Sequence, residues 1–382
     1  MPKKDRGGVE RGSEIYRDKA QRKTLKKSKR GKSGSGKKER GEEDEAAQSN
    51  TQQGSMDQTE VLNNFLSSVG EEVEDAEEES FLLFARDIPS ANLGFVDSRA
   101  PTVDVTIHGQ DYSISQSPTL LSSSRAGGTT GAVLWKITPA FAEWIADSPS
   151  NPLWKHSLLT SSSTVVELGC GISGLIALAL GPSIRHYVAT DQEYVHRLFR
   201  ENIENNSAAT PTTTKAQTKG KSKKRATGHQ KPPRKQDEQG SSNITFAALD
   251  WELDVPASLK DSIGLKGDDD HDCDDEEGDD KGFDLLLSCD CIYNEALVAP
   301  FVRTCADFCR LRPVHAAGRR ASWPPTICII AQQQRSPDVF EAWLRETLRV
   351  FRVWRLSDEA LGEGLRAGTG YVVHLLLLRD AT

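Results

Sequence analysis

Short apolar runs recur along the chain from residue 164 onward, and four of the seven are followed by a turn and then by a stretch of helical composition. Continuous apolar runs of this kind are typical of strands that are buried on both faces of a parallel sheet. Seven strands are predicted from them, over residues 164–168, 187–190, 244–249, 283–288, 326–331, 351–356 and 371–378.

Helical patterns lie before and between these strands. Helices are predicted over residues 58–69, 133–146, 175–180, 195–205, 296–309 and 337–348. Upstream, residues 80–84 and 102–107 have the composition of strands, and the second of these alternates as VDVTI. The alternation of strands and helices predicts a doubly wound α/β sheet, and the last two strands are predicted to form an antiparallel edge.

Composition divides the 382 residues into parts. Residues 1–56 are basic and poor in apolar side chains, so they are predicted to be a disordered tail. Residues 57–130 form a predicted N-terminal extension and 131–382 the main domain, which low-complexity inserts interrupt at 207–240 and 266–281. Such a tail either makes weak contacts with RNA, serves as a nuclear address or has no specific partner.

The formal net charge of −8 averages a basic N-terminal region and an acidic insert. Seven cysteines, an odd number without a zinc-ligand spacing, indicate reduced thiols and no metal. The basic N-terminal segment is not followed by an apolar segment, and no apolar run reaches the roughly 18 residues of a membrane span. We therefore expect a soluble, monomeric protein that acts in the cytoplasm and also, as a second possibility, in the nucleus.

The clearest motif is VVELGCGISG, residues 165–174, at the turn from a predicted strand to a predicted helix. Its three glycines also satisfy the dinucleotide fingerprint GxGxxG, so the turn alone fits a nicotinamide cofactor as well as S-adenosylmethionine. Asp191 follows the next strand, where a carboxylate can accept hydrogen bonds from both ribose hydroxyls. Glu167 favours S-adenosylmethionine, because an acid suits an ammonium and a sulfonium better than a pyrophosphate.

Further candidate residues follow the third and fourth predicted strands. Trp251 comes after the third strand, and Cys289, Asp290 and Tyr293 come at the end of the fourth. Ligands of open α/β sheets bind at the carboxyl ends of the strands. We therefore expect four strand ends to deliver these residues, the glycine turn and Asp191 to one rim.

Together, residues 165–174, Asp191, 249–251 and 290–293 resemble the seven-β-strand lysine methyltransferases of the methyltransferase-like 21 group. Residues 131–135 (GAVLW) resemble the Leu-Trp element of that group. The resemblance extends over roughly residues 81–378, apart from the two inserts. It implies a Rossmann-like, seven-stranded class I S-adenosylmethionine-dependent methyltransferase with a small N-terminal β extension.

The resemblance also implies roles for individual residues. Asp191 would hold the ribose, Trp251 would pack on the adenine, and the backbone of Cys289 would contact the methionine portion. Asp290 and Tyr293 would face the incoming lysine, and Asp290 would either position the amine or act as its base. The residues expected to bind the cofactor are Trp135, Glu167, Gly169, Cys170, Gly171, Asp191, Trp251 and Cys289.

The function that follows from the resemblance is S-adenosylmethionine-dependent methylation of a protein lysine. The layout is most similar to a ribosomal lysine methyltransferase of that group, which implies a ribosomal protein as the substrate. Three alternatives stay open on the sequence: a methyltransferase acting on rRNA or a small molecule, an NAD-dependent oxidoreductase, and a non-catalytic scaffold that binds the cofactor.

Overall fold

The computed structural model describes residues 58–125, 128–207, 243–262, 282–312, 315–316, 319–320 and 324–379. The predicted basic tail, the insert at 266–281 and all but the first residue of the insert at 207–240 lie outside these residues. The domain boundaries therefore stay predictions.

An eight-stranded sheet forms the centre of the fold, and each of the seven predicted strands is present in it. The strands of the structure are β1 (Gly70–Val73), β2 (Thr102–Ile107), β3 (Gln110–Ser115), β4 (Thr164–Leu168), β5 (His186–Asp191), β6 (Ile244–Ala248), β7 (Leu285–Cys289), β8 (His315–Ala316), β9 (Arg319–Arg320), β10 (Ile327–Gln333), β11 (Phe351–Leu356) and β12 (Tyr371–Leu378). The order in the main sheet is β1-β11-β12-β10-β7-β4-β5-β6, while β2 pairs with β3 and β8 with β9.

Helices cover both faces of the sheet. They are α1 (Gln58–Val69), α2 (Ala76–Phe84), α3 (Pro118–Leu121), α4 (Ile137–Ala146), α5 (Pro152–Lys155), α6 (Leu175–Leu180), α7 (Glu193–Ser207), α8 (Pro256–Ser262), α9 (Val298–Arg310), α10 (Pro337–Leu348) and α11 (Asp358–Leu361). Helices α1, α4, α6 and α7 bury apolar side chains on one face, and α2, α8, α9 and α10 do so on the other. None of the described helices is both long and apolar enough to cross a membrane.

The direction of β12 distinguishes this sheet from that of a dinucleotide-binding dehydrogenase. Strands β6, β5, β4, β7 and β10 are parallel, and β12 lies antiparallel between β10 and β11. The dinucleotide-binding fold instead keeps the order 3-2-1-4-5-6 with parallel strands. The predicted seven-stranded class I methyltransferase fold is therefore confirmed, with β1 as an additional strand and the β2–β3 hairpin as the N-terminal β extension.

The predicted strand at residues 80–84 is wrong, because these residues form the second half of α2. Asp75 caps this helix, and its carboxylate accepts hydrogen bonds from the backbone N–H groups of Glu77 and Glu78, both at 2.8 Å. An acidic residue at the N-cap and acidic residues in the first turn stabilise a helix start. The stabilised start allows the helix to continue over the apolar residues 80–84. An apolar run of this kind is, on its own, typical of a strand.

Two other predictions need correction. The last two strands are an antiparallel pair, but they do not form the edge, because β1 pairs with β11 on its outer side. The predicted helix at 133–146 begins only at Ile137; Trp135, before it, forms an antiparallel bridge with Phe95. Both differences depend on partners far away in the sequence, which a local pattern does not contain.

Candidate active site

A cleft of about 870 Å³ opens at the carboxyl ends of β4, β5, β6 and β7. All ten residues predicted to form the site line it: Trp135, Glu167, Gly169, Cys170, Gly171, Asp191, Trp251, Cys289, Asp290 and Tyr293. The structure thus brings the predicted residues together, while their individual roles stay predictions.

The glycine turn between β4 and α6 lies in the wall of the cleft. Gly169 and Gly171 have φ angles of 72° and 60°, in the left-handed region that favours glycine. The backbone N–H groups of Gly169 and Cys170 both donate to the carbonyl oxygen of Thr190, at 2.9 and 3.1 Å. A Cβ atom on Gly169 would lie 2.3 Å from the Sγ of Cys291, so a side chain has no space there.

Asp191, at the end of β5, is tied to the same turn. Its Oδ2 accepts a hydrogen bond from the N–H of Gly171 at 2.8 Å, and its Oδ1 accepts one from the N–H of Gln192 at 2.6 Å. Burial raises the pKa of Asp191 to about 6, although both hydrogen bonds oppose the rise. A ligand that donates hydrogen bonds or carries positive charge would favour its ionised form.

Glu167 provides a second carboxyl group in the cleft. Its side chain is almost fully buried within β4, and its Oε2 accepts a hydrogen bond from the hydroxyl of Tyr187 at 2.7 Å. Burial raises the pKa of Glu167 to about 7. The cleft therefore contains two desolvated acids, which suit a ligand with positive charge and not a pyrophosphate.

Trp251 follows β6 and lies beside the glycine turn. A Cβ atom on Gly169 would lie 3.5 Å from Cζ2 of the indole. The indole packs edge-on against Phe301, with 5.0 Å between ring centroids, and the Trp251 carbonyl accepts a hydrogen bond from Arg303 at 2.7 Å. These contacts fix a flat aromatic surface at the β6 side of the cleft.

Asp290 lies at the opposite side of the cleft, directly after β7. It is 9% exposed, has a φ of 62°, and forms an ion pair with Arg335. Burial raises the pKa of Asp290 to about 6, and the Arg335 guanidinium acts in the opposite direction. The buried Cys289 precedes it, and burial also raises the pKa of the Cys289 thiol.

Tyr293 and Trp135 complete this side, and Thr130 joins them. The hydroxyl of Thr130 donates to the Tyr293 hydroxyl at 3.2 Å, and the Trp135 indole N–H donates to the Thr130 carbonyl at 3.1 Å. The Tyr293 side chain is 39% exposed, so it lies at the rim of the cleft. This side of the cleft therefore has the two aromatic side chains of Trp135 and Tyr293 and the carboxylate of Asp290.

Four contributors were not predicted individually from the sequence: Thr130, Gly131 and Tyr194, which line the cleft, and Arg335, which lies outside that lining. The carbonyl of Gly131 accepts a hydrogen bond from Ile172 at 2.9 Å, and Tyr194 lines the cleft beside it. Thr130 contacts Tyr293, and Arg335 contacts Asp290. For Arg335 a signal was present, because it follows the end of β10, which is adjacent to β7 in the sheet.

The residues of the cleft fit S-adenosylmethionine. The turn presents backbone atoms of Gly169 and Gly171 to the cleft, and Asp191 lies at the strand end where a ribose is held in this class of fold. The buried Glu167 suits an ammonium or a sulfonium. The aromatic face of Trp251 suits an adenine.

Comparison with known proteins agrees with this description. Residues 114–221 match the family model described as lysine methyltransferase. The chain is 30% identical over 244 residues to ribosomal lysine N-methyltransferase 5 of Zygosaccharomyces rouxii, an alignment that covers 60% of this chain and 67% of that relative.

A second relative carries a different name. Over 151 residues the chain is 34% identical to diaminohydroxyphosphoribosylamino-pyrimidine deaminase of Schizosaccharomyces pombe. This alignment covers 39% of the chain. The matched part is only 35% of the length of that relative.

Among solved structures, Aeropyrum pernix fibrillarin with bound S-adenosyl-L-methionine aligns over 76% of this chain and 100% of its own, with a TM-score of 0.34 and 12% identity. A likeness of that size carries no weight for chemistry. The family model, the Zygosaccharomyces relative and the sheet order point the same way: the chain belongs to the lysine methyltransferase family and has the fold of a class I S-adenosylmethionine-dependent methyltransferase.

Proposed function

We propose that this protein transfers a methyl group from S-adenosylmethionine to the side-chain amine of a lysine in a ribosomal protein. The observation that carries the proposal is the cleft itself. One wall has the glycine turn, Glu167 and Asp191, and the other has Asp290 and Tyr293. A cofactor held by the first wall would meet an acceptor that enters along the second.

When bound, the cofactor supplies a methyl group activated by a sulfonium, and the protein contributes binding and orientation. Asp191 would accept hydrogen bonds from the ribose hydroxyls, and Trp251 would pack on the adenine. Ionised Glu167 would balance the positive charge of the ligand. Trp135 would line the cofactor, and the backbone of Cys289 would contact the methionine portion.

The acceptor amine must be neutral to attack, and a free lysine has a pKa of about 10.4. A free carboxylate nearby would hold the amine protonated, whereas desolvation between aromatic side chains favours the neutral form. Asp290 is already paired with Arg335, so its charge is largely compensated. This supports a role for Asp290 in positioning the amine over a role as its base.

The ribosomal substrate is the finer part of the proposal, and the name of the Zygosaccharomyces relative supports it. We infer a cytoplasmic monomer, with weak contacts between the basic residues 1–56 and ribosomal RNA as an aid to docking.

The test is incubation of ribosomes with methyl-labelled cofactor, followed by mass spectrometry of the labelled component. We expect a methylated lysine in a ribosomal protein, lost in Asp290→Ala and retained in the control Asp307→Ala. Asp307 also pairs with an arginine, at 3.0 Å, but lies on α9 away from the cleft. Label in rRNA, or cofactor binding without transfer to protein, would contradict the proposal.

A further inference from the structure

Arg335 contacts two residues on the Asp290 side of the cleft without belonging to the described lining. It follows β10, and its side chain is 25% exposed. One guanidinium nitrogen donates to Oδ2 of Asp290, and the guanidinium carbon lies 4.2 Å from the centroid of the Trp135 ring. A single cation therefore contacts both Asp290, which is expected to face the acceptor, and Trp135, which is expected to line the cofactor.

The backbone of Asp290 has a conformation that the surrounding strands must hold in place. Its φ of 62° is uncommon for a residue with a side chain. The Asp290 N–H donates to the Ala331 carbonyl at 2.8 Å, and the Gln333 N–H donates to Oδ1 at 3.3 Å. With Arg335 on Oδ2, both carboxylate oxygens accept hydrogen bonds from β10 and the residues after it.

The charged and titratable groups around Asp290 come from three elements. Arg335 follows β10, Tyr371 begins β12, and Cys289 and Cys291 flank Asp290 on its own segment. Arg335 is the positively charged group among them, and it opposes the effect of burial on the Asp290 carboxyl. Without Arg335, burial would favour the protonated acid.

We propose that Arg335 is a positioning residue for methyl transfer, which holds the carboxylate of Asp290 and the indole of Trp135 in one fixed arrangement. The inference rests on the proposed function and extends it to a residue outside the cleft. Because Arg335 lies outside the described lining of the cleft, it would act through these two side chains. The planar guanidinium suits the task, because it stacks on an aromatic ring and donates to a carboxylate at the same time.

The first test compares methyl transfer by Arg335→Met, Arg335→Lys and the wild-type full-length protein. Arg335→Met is expected to lower kcat by about 10- to 100-fold, the usual cost of a misplaced reacting group. As the pH is lowered, this variant should lose activity at a higher pH than the wild type does, because Asp290 holds its proton more tightly without Arg335. Arg335→Lys should restore the acid side of the pH–kcat profile but only part of kcat, since an ammonium stacks less well on Trp135.

The chain contains a matched control. Arg352 lies 4.7 Å from the centroid of the Trp354 ring and donates to both carboxylate oxygens of Glu72, at 2.8 and 2.9 Å, away from the cleft. Arg352→Met therefore removes the same kind of contact without touching Asp290. An equal effect of Arg335→Met and Arg352→Met on kcat, with no change in either pH profile, would overturn the positioning role.

A second measurement does not require an acceptor. Carbon-13 NMR of aspartate carboxyl groups in the free protein, with the Asp290 signal assigned by its loss in Asp290→Asn, reports its titration directly. We expect the Asp290 midpoint at a higher pH in Arg335→Met than in the wild type, and an unchanged midpoint overturns the proposal. If the wild type transfers no methyl group to lysine, the proposed function fails, while this titration still decides whether Arg335 controls Asp290.

Discussion

Gly169 and Cys291 come from different strand ends and meet so closely that a Cβ atom on Gly169 would lie 2.3 Å from the Cys291 Sγ. The Cys291 thiol also lies 3.3 Å from the carbonyl oxygen of Leu168, the residue before the glycine. The strand ends of β4 and β7 are thus joined at this point of the cleft. The glycine is needed for the contact between the two strand ends as well as for the turn.

Gly169→Ala is expected to lower the affinity for S-adenosylmethionine by about tenfold or more, equivalent to at least roughly 1.4 kcal/mol of binding free energy. The added methyl group would push the turn and the Cys291 segment apart. Calorimetric titration with the cofactor measures the loss.

Gly368→Ala is the control for that substitution. Gly368 also has a positive φ, 83°, but nothing lies within 4 Å of its Cβ position. Gly368→Ala should lower the free energy of unfolding by roughly 1–3 kcal/mol through backbone strain and leave the affinity for the cofactor unchanged. Equal cofactor affinity in the two variants would show that the contact with Cys291 is unimportant.

Asp191→Asn should weaken cofactor binding by roughly 10- to 100-fold, because hydrogen bonds to a charged group contribute about 1.5–3 kcal/mol each. The asparagine retains one acceptor oxygen in place of two. Asp97→Asn is the matched control, since Asp97 accepts two backbone hydrogen bonds, at 2.8 and 3.2 Å, outside the cleft lining. Calorimetry that finds equal affinity in both variants would remove Asp191 from the binding site.

The contribution of Glu167 to the stability of the cofactor-free protein should fall as the pH rises from about 4.5 to about 7. In the folded state burial raises the pKa of Glu167 to about 7, from the usual 4.5 that applies in the unfolded chain. The folded state therefore holds the proton more tightly across this window, and its stabilisation is lost as the carboxyl ionises.

Glu167→Gln should reduce this pH dependence, because glutamine accepts the Tyr187 hydrogen bond without ionising. The contribution of Glu167 to the difference in the free energy of unfolding between the ends of the window is at most about 3 kcal/mol, at 1.36 kcal/mol per pKa unit. Urea denaturation of both proteins at each end of the window measures it. An identical pH dependence in wild type and Glu167→Gln would contradict the prediction.

Tyr293→Phe and Tyr293→Ala separate the hydroxyl of Tyr293 from its ring. Among the residues that the structure describes, the hydroxyl accepts one exposed hydrogen bond, from Thr130 at 3.2 Å, so its removal should change kcat by less than about threefold. Loss of the ring in Tyr293→Ala should lower kcat by about tenfold or more, if the ring orients the acceptor amine. Steady-state methylation assays compare them, and a large loss in Tyr293→Phe would assign the role to the hydroxyl.

Much of the fold follows from local pattern. The strand at residues 371–378 is a continuous apolar run, and β12 has these same limits. Residues 80–84 have an apolar run of the same kind but form a helix, because the side chain of Asp75 caps the segment before them. An apolar run alone does not distinguish a buried strand from the buried part of a helix.

By itself, the sequence determined the alternation of strands and helices, the glycine turn and the strand ends that carry Asp191, Trp251 and Asp290. These features depend on neighbouring residues and on the rule that ligands bind where parallel strands end. Only the tertiary structure decided that β12 lies between β10 and β11, and that Arg335 reaches Asp290 and Trp135. Strand order and ion pairing bring together residues far apart in the chain, and their energies depend on burial and distance that no local pattern contains.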